Sequence, residues 1–392
     1  MGFAKEEQFL LSVIKAVLHN KNVEVIEEDM DKSVLLKIAK SHRLENFLYY
    51  GLKEMNLGEL SVRLAKSHKN DVYRAAIFAA ESELLFHAFA KNEIKFMPLK
   101  GLVIKYLYPH IDLRTMVDVD ILFDESKKKE VKKVMVELGY KVKSYNAGNH
   151  DVYLKDPLMH VEMHRSLIDE SYSLSQYYKS IWNRVILEKD SCFQYRMTDE
   201  DFYLFLIAHT AKHFLNGGTG IRNIIDIYLY LEKYKKELNI NYIESELEKL
   251  GLLVFSKKIS ELAYYWFDEG ETNQILEQIG SYVVHSGVYG NITNAAIINI
   301  LLGKKGKDSL TSSKIKYILR RIFPSYSTMK RRNKILKKIP ILLPWFWFTR
   351  LLTGICRKES RIKEMDAIDK VKQEDIEKIK EIREELGVKE KI

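Results

Sequence analysis

Asp118-Val119-Asp120 lies inside the apolar run Met116 to Phe123. In an extended strand, side chains two apart leave the same face. Both carboxylates therefore point together, while Val117, Val119 and Ile121 point the other way. A third carboxylate, Glu162, sits in His160-Val161-Glu162-Met163-His164, where the same alternation puts His160, Glu162 and His164 on one face. If the two strands are neighbours, three carboxylates converge. At about 4 Å and an effective dielectric near 20, each like-charged pair costs roughly 4 kcal/mol, so such a cluster implies a bound cation or a proton. Hard oxygen ligands select Mg2+ or Mn2+ over zinc. Two such ions about 3.5–4 Å apart orient a triphosphate and activate an attacking hydroxyl. Alone, an Asp-x-Asp pair also marks a solvated strand face or a turn.

The elements that must position these acids are a small alternating unit. Phe96 to Leu99 is a short strand-like run ended by Lys100-Gly101, Leu102 to Tyr108 gives a turn or two of helix, and Met116 to Phe123 is a second strand. Ser126 is placed to cap a helix through Leu138, with Gly139 at its left-handed end. Val152 to Leu154 and Met159 to Met163 flank Lys155-Asp156-Pro157 and read as a hairpin. Before this unit, residues 5–90 carry apolar positions at three- and four-residue spacing, as in Phe9, Leu10, Val13, Ile14, Val17 and Leu18. After it, a capping cluster, Thr198-Asp199-Glu200-Asp201, opens a second helical stretch to about Leu302. The expected fold is α+β, with the mixed sheet embedded between mainly helical regions. The expected divisions are 1–90, a core at 91–190, a helical part at 191–303 that completes a cleft, a basic-aromatic segment at 304–356 and a charged helical tail at 357–392, read as exposed.

Charge is unevenly spread. The chain of 392 residues has a net charge of +9, yet Lys304 to Lys338 holds 13 basic residues against one acid, Asp308, leaving −3 for everything else. That distribution argues against a nucleic-acid-coating protein and for a local basic patch. With only two cysteines, Cys192 and Cys356, a disulfide framework and a thiolate zinc site are excluded, and a reducing cytoplasm fits. The longest apolar run, Ile339 to Phe348, holds two prolines and is about half the roughly 20 residues of a membrane span.

The order strand, Lys100-Gly101, helix, Asp118-x-Asp120 strand and later Glu162 strand resembles the nucleotidyltransferase superfamily of DNA polymerase beta, kanamycin nucleotidyltransferase and the antitoxin-type small transferases. More closely, the chain is similar to the bacterial uncharacterised nucleotidyltransferases called NTP-transferase family 5. The residues that carry this are Pro98-Leu99-Lys100-Gly101, Arg114 with Asp118-Val119-Asp120-Ile121-Leu122, Leu138-Gly139-Tyr140, Val161-Glu162-Met163-His164, and His209-x-x-Lys212-His213 with Asp226. The similarity runs from roughly residue 10 to 300. Where the superfamily has Gly-Ser, this chain has Lys100-Gly101, so its grip on phosphate must differ.

The resemblance implies a polymerase beta-like core and Mg2+-dependent transfer of an NMP from an NTP to a hydroxyl acceptor, with release of pyrophosphate. Asp118 and Asp120 would bridge the two metal ions. Glu162 would hold the catalytic one and serve as base or orient the acceptor. Lys100, Gly101, Arg114 and Lys212 would hold the nucleotide. Gly101 would let the backbone approach phosphate at the following helix's N-terminus, and Lys100 would be a point charge or a structural lysine. Arg114 holds phosphate or pairs with Asp112 or Asp118. His209 and His213 have metal-ligand spacing but lack the glutamate of a zinc-protease helix, and read better as packed or hydrogen-bonded groups lining the nucleotide side. His160 and His164 support Glu162 or face solvent.

The basic stretch with Trp345, Phe346, Trp347 and Phe348 fits an anionic membrane surface or lipid-linked substrate, so peripheral contact at the inner membrane surface is one expected location. Nucleic acid fits less well, because the aromatics are clustered rather than interleaved with the lysines. The plain alternative is a helical core with a solvated basic face. Two rivals to the enzyme reading remain: a non-catalytic binding or assembly protein on the same fold, and a toxin-like transferase acting on tRNA or protein. The acceptor and the NTP are left open.

Overall fold

The helical periodicity of the first residues becomes four helices in a computed structural model: α1 (Lys5–Leu18), α2 (Lys32–His42), α3 (Glu45–Leu52) and α4 (Glu59–Lys91). The structure describes residues 3–23, 29–288, 290–304, 308–333, 335–355 and 358–388. Lys305, Lys307 and Lys334 of the basic stretch, and Arg357 at the start of the charged tail, lie outside the described residues.

The alternating unit follows as β1 (Phe96–Pro98), α5 (Gly101–Ile104), β2 (Val119–Phe123), α6 (Lys128–Glu137), β3 (Lys141–Ser144), β4 (His150–Lys155) and β5 (Met159–His164). Its sheet has the order β1-β2-β5-β4-β3. Only β2 and β5 are parallel neighbours, so the chain crosses over through α6, β3 and β4 before β5 returns beside β2. One sheet face carries Val119, Ile121, Phe123, Val161 and Met163, packed on Phe78, Leu85 and Phe89 of α4 and on Val131, Val134 and Met135 of α6. Burying each such side chain contributes about 1.5–3 kcal/mol. Glu81 of α4 accepts from Lys155 Nζ at 2.8 Å and from Tyr140 Oη at 2.9 Å, which fixes the long helix across the sheet. The opposite face is left for the polar residues of β2 and β5.

Two details differ from the sequence expectation. The cap before α6 is Asp124, which accepts from the Ser126 amide at 3.0 Å, because a 3-10 turn, Glu125–Lys127, precedes the α-helix. β2 begins at Val119, so Asp118 stands immediately before the strand.

A short helix, α7 (Ser175–Tyr178), and a hairpin, β6 (Val185–Leu187) and β7 (Tyr195–Met197), lead into a helical array. It comprises α8 (Asp199–Phe214), α9 (Ile221–Tyr234), α10 (Ile240–Leu250), α11 (Leu253–Phe267), α12 (Gln274–Ser286) and α13 (Ile292–Gly303). Thr198 caps α8 by accepting from the Asp201 amide at 3.1 Å. Acids in its first turn and Lys212 in its last complement the helix dipole. The turn between α8 and α9 is glycine-rich for steric reasons: a Cβ on Gly218, at φ +112°, would lie 2.0 Å from Ser286 Oγ.

The C-terminal part continues as α14 (Leu310–Ile322), α15 (Tyr326–Arg332), α16 (Ile335–Lys338), α17 (Leu343–Ile355), α18 (Lys358–Lys370) and α19 (Gln373–Glu385). The tail is not simply an exposed helix. Ile376, Ile379 and Ile382 of α19 are buried in the same core cluster as α1, α8 and α12, because they recur at three-residue spacing on one face.

Buried His42 joins α2 to two other elements. Its Nε2 bonds the Val284 carbonyl at 2.8 Å, and its Nδ1 accepts from the Ile221 amide at 3.2 Å. Burial pushes its pKa down to about 4, against 6.5 in an exposed imidazole. Protons therefore bind the unfolded chain first, and this contribution to stability is complete above about 6.5 and is lost as pH falls towards about 4. Going from pH 7 to pH 5 is expected to cost about 2 kcal/mol through this residue. Urea unfolding at the two pH values, in wild type and His42→Gln, checks this. An unchanged pH dependence in the variant would assign the acid sensitivity to other groups.

Candidate active site

The parallel pairing of β2 with β5 places Asp120 directly opposite Glu162. Because β1 is the other neighbour of β2, the Leu99 amide bonds the Asp120 carbonyl at 3.0 Å, and the next residue, Lys100, is delivered beside the Asp120 side chain. Lys100 sits at φ +43° and ψ −111°, a positive-φ conformation that costs a non-glycine residue of order 1–3 kcal/mol. Its Nζ donates to Asp120 Oδ2 at 3.1 Å. Asp120 Oδ1 lies 2.7 Å from His164 Nε2, so both carboxylate oxygens have a donor. Glu162 Oε2 is 3.6 Å from the same His164 nitrogen and 3.5 Å from His150 Nε2.

These groups border a cavity of about 270 Å³ whose other wall comes from α8 and α9. Of the candidate catalytic, metal-ligating and nucleotide-binding residues, all but His160 border it. Across from the acids stand His209, Lys212 and His213, one helical turn of α8, with Arg222 of α9 beside them. His209 and His213 face each other with their Nε2 atoms 3.1 Å apart, one donating to the other. They are thus hydrogen-bonded to each other. His160 packs elsewhere on the acid side: a ring nitrogen of it and an oxygen each of Asp118 and Glu162 all lie within 4.8 Å of one another. Its Nε2 is buried and has no hydrogen-bond partner among the described residues.

Electrostatics separate the two aspartates. Burial pushes the Asp118 carboxyl above the usual range, and the neighbouring Asp120 charge adds to this. For Asp120, burial acts in the same direction but is outweighed by the Lys100 and His164 contacts, which hold it well below that range. His164 goes the opposite way: burial disfavours its charge, yet the bonds to Asp120 and Glu162 raise its pKa. On the far wall, burial and then the Lys100 charge lower Lys212 to about 8. Burial and Lys212 depress His213 to about 3. The helical wall therefore holds neutral imidazoles around one ammonium that is easily discharged and would gain most from an anion.

Arg114 is paired with neither Asp112 nor Asp118. Its Nε and one terminal nitrogen each donate at 2.7 Å to Asp226 of α9, which also accepts from Tyr108 Oη at 2.6 Å. Gly101 has a local reason to lack a side chain: a Cβ there would lie 2.6 Å from Met116 Sδ. The helix it opens has four residues, too short to offer phosphate the N-terminal site expected from the sequence.

His150 and Asn149 border the same cavity and were not found by sequence reasoning. The signal existed: the hairpin around Asp156-Pro157 pairs Lys155 with Met159, which brings His150 opposite His164. Asn149 fixes the arrangement, with its Oδ1 3.2 Å from His150 Nδ1 and its amide nitrogen donating to the Ser166 carbonyl at 3.0 Å.

No curated protein and no solved structure matches the chain. The family model described as uncharacterised nucleotidyltransferase matches residues 28–268, a span that contains both sheet strands with the acids and the α8–α9 wall facing them, and the chain belongs to that family.

Proposed function

We propose that the chain catalyses divalent-cation-dependent transfer of an NMP from an NTP to a hydroxyl acceptor. The observation that carries this is the facing of two unlike walls: Asp118 just before β2, Asp120 on β2 and Glu162 on β5, and Lys212 with neutral His209 and His213 on α8. The acceptor oxygen would bond to the α-phosphorus as the bond to the β-phosphate bridging oxygen breaks, and pyrophosphate would leave. Ionised Glu162 would orient the acceptor hydroxyl and take its proton. Lys100 and Lys212, at opposite sides of the cavity, would hold the triphosphate. In this reading Arg114 positions the segment before β2 through Asp226.

The donor set fits a hard divalent cation. Three carboxylates supply oxygens, and His160, whose Nε2 is a buried atom without a partner among the described residues, adds an imidazole that suits Mn2+ better than Mg2+. Bound there, Mg2+ or Mn2+ would neutralise charge developing on the transferred phosphoryl group and the leaving pyrophosphate. A cation must compete with Lys100 and His164 for Asp120.

Incubation with each α-labelled NTP and Mg2+ or Mn2+, with cell lysate as the source of acceptor, tests the reaction. Label is expected to pass to a product only with the divalent cation. Calorimetry with the four nucleotides accompanies it, and equal binding of all four without metal, with no label transferred, would end this reading.

A further inference from the structure

The sequence puts Trp345 and Trp347 in one aromatic cluster, but α17 is a helix, on which residues two apart point in nearly opposite directions. Trp347 turns inward: its Nε1 donates to the Pro324 carbonyl at 3.0 Å, and its ring packs edge-on against Phe323. Trp345 turns outward. With it go residues at helical spacing along the 3-10 turn Pro340–Leu342 and α17: Ile341 is 84% exposed, Trp345 59%, Phe348 50% and Leu352 49%. Scattered exposed apolar residues are ordinary, whereas a continuous stripe of large ones marks an interaction surface. Ile335 and Ile339 are exposed just upstream, with Lys337 and Lys338 exposed between them.

Charge decides what covers the stripe. From Ser309 to Lys358 the chain contains no Asp or Glu, while Lys and Arg recur up to Lys338 and again at Arg350, Arg357 and Lys358, on both sides of the apolar turns. A second copy docked through the same stripe would bring two such segments together, with like charges repelling. A polyanion alone would satisfy the lysines and leave Trp345 and Phe348 in water. An anionic bilayer satisfies both, because its headgroups meet the lysines while apolar side chains enter the boundary with the acyl chains. None of the described helices is long and apolar enough to cross a membrane, and α17 has 13 residues, which suits a helix lying in the interface plane.

We infer that the face of residues 335–352 centred on Ile341, Trp345, Phe348 and Leu352 docks the protein on an anionic lipid surface. Co-sedimentation of the full chain with phosphatidylcholine vesicles, and with vesicles in which about a third of the lipid is phosphatidylglycerol, tests this at low and high salt. Partition is expected to be at least about tenfold stronger on the anionic vesicles and to weaken with salt. The double variant Trp345→Ser with Phe348→Ser should lose about tenfold or more, and Lys337→Glu with Lys338→Glu a comparable amount. Because Ile341 projects furthest, Ile341→Ser serves as the milder variant should the double one fail to fold. Equal partition to both vesicle types, partition to neither, unaltered partition of every folded variant, or a dimer that Trp345→Ser dissociates would overturn the inference. So would RNA binding that is lost in the stripe variant while vesicle partition persists.

Discussion

Asp120→Asn is expected to lower NMP transfer by about a thousandfold or more, equivalent to about 4 kcal/mol of transition-state stabilisation. Asn has nearly the volume of Asp and can still accept a bond from Lys100 or His164, but it loses the charge that both of these groups and a divalent cation would share. Its effect on stability is expected to be modest, because two consequences oppose each other. Lys100 and His164 lose a counter-charge at 3.1 Å and 2.7 Å. In return, Asp118 is relieved of a neighbour that raises its pKa, so it and Glu162 can serve as acceptors for the displaced lysine. Steady-state transfer with Mg2+ and Mn2+, beside urea unfolding of the same preparations, separates the two quantities. A variant that keeps more than about a tenth of the wild-type rate has lost under about 1.4 kcal/mol, and Asp120 would then not be a metal ligand.

The pair Asp118 and Asp120 and the lone Glu162 were legible because a strand has period two and the apolar residues between them alternate. That the two strands are adjacent was not, because β2 meets β5 only after the chain has passed through α6, β3 and β4. Loop length and local pattern do not choose that neighbour. His150 was recoverable from the hairpin register, which follows from the turn at Asp156-Pro157 once Lys155 and Met159 are paired. Trp345 and Trp347 needed knowledge that their segment is helical, which Pro340 and Pro344 obscured. In the tail, Ile376, Ile379 and Ile382 carry a helical stripe, but the surrounding charges dominate the composition and hid its burial. Nor does any local signal name Asp226 as the partner of Arg114, since the two are 112 residues apart.

That distant pair supports the second large effect. Arg114 and Asp226 have side chains only 8% and 5% exposed, and their two parallel bonds of 2.7 Å tie the segment entering β2 to the N-terminal half of α9. Burial disfavours the guanidinium charge, but Asp226 more than restores it. Burial, reinforced by Asp226, likewise keeps Tyr108 protonated as a donor. Removing one partner of such a pair strands the other charge, so Asp226→Asn and Arg114→Met are each expected to cost about 3–5 kcal/mol of folding stability. The double variant should cost clearly less than the sum of the two single ones. Arg114→Lys is the discriminating substitution. It keeps the charge, which suffices for a phosphate contact, but cannot reproduce the planar fork that meets both oxygens of Asp226. If Arg114 works by positioning β2, the lysine variant should be destabilised by about 2 kcal/mol or more, with the remaining folded fraction binding nucleotide nearly as wild type does. Unfolding in urea and nucleotide calorimetry on the same sample read these separately. Stability within about 1 kcal/mol of wild type together with a weakened nucleotide affinity would instead make Arg114 a phosphate ligand, reached through the guanidinium edge that faces Gly101, where a Cβ would stand 3.8 Å from its Nη1.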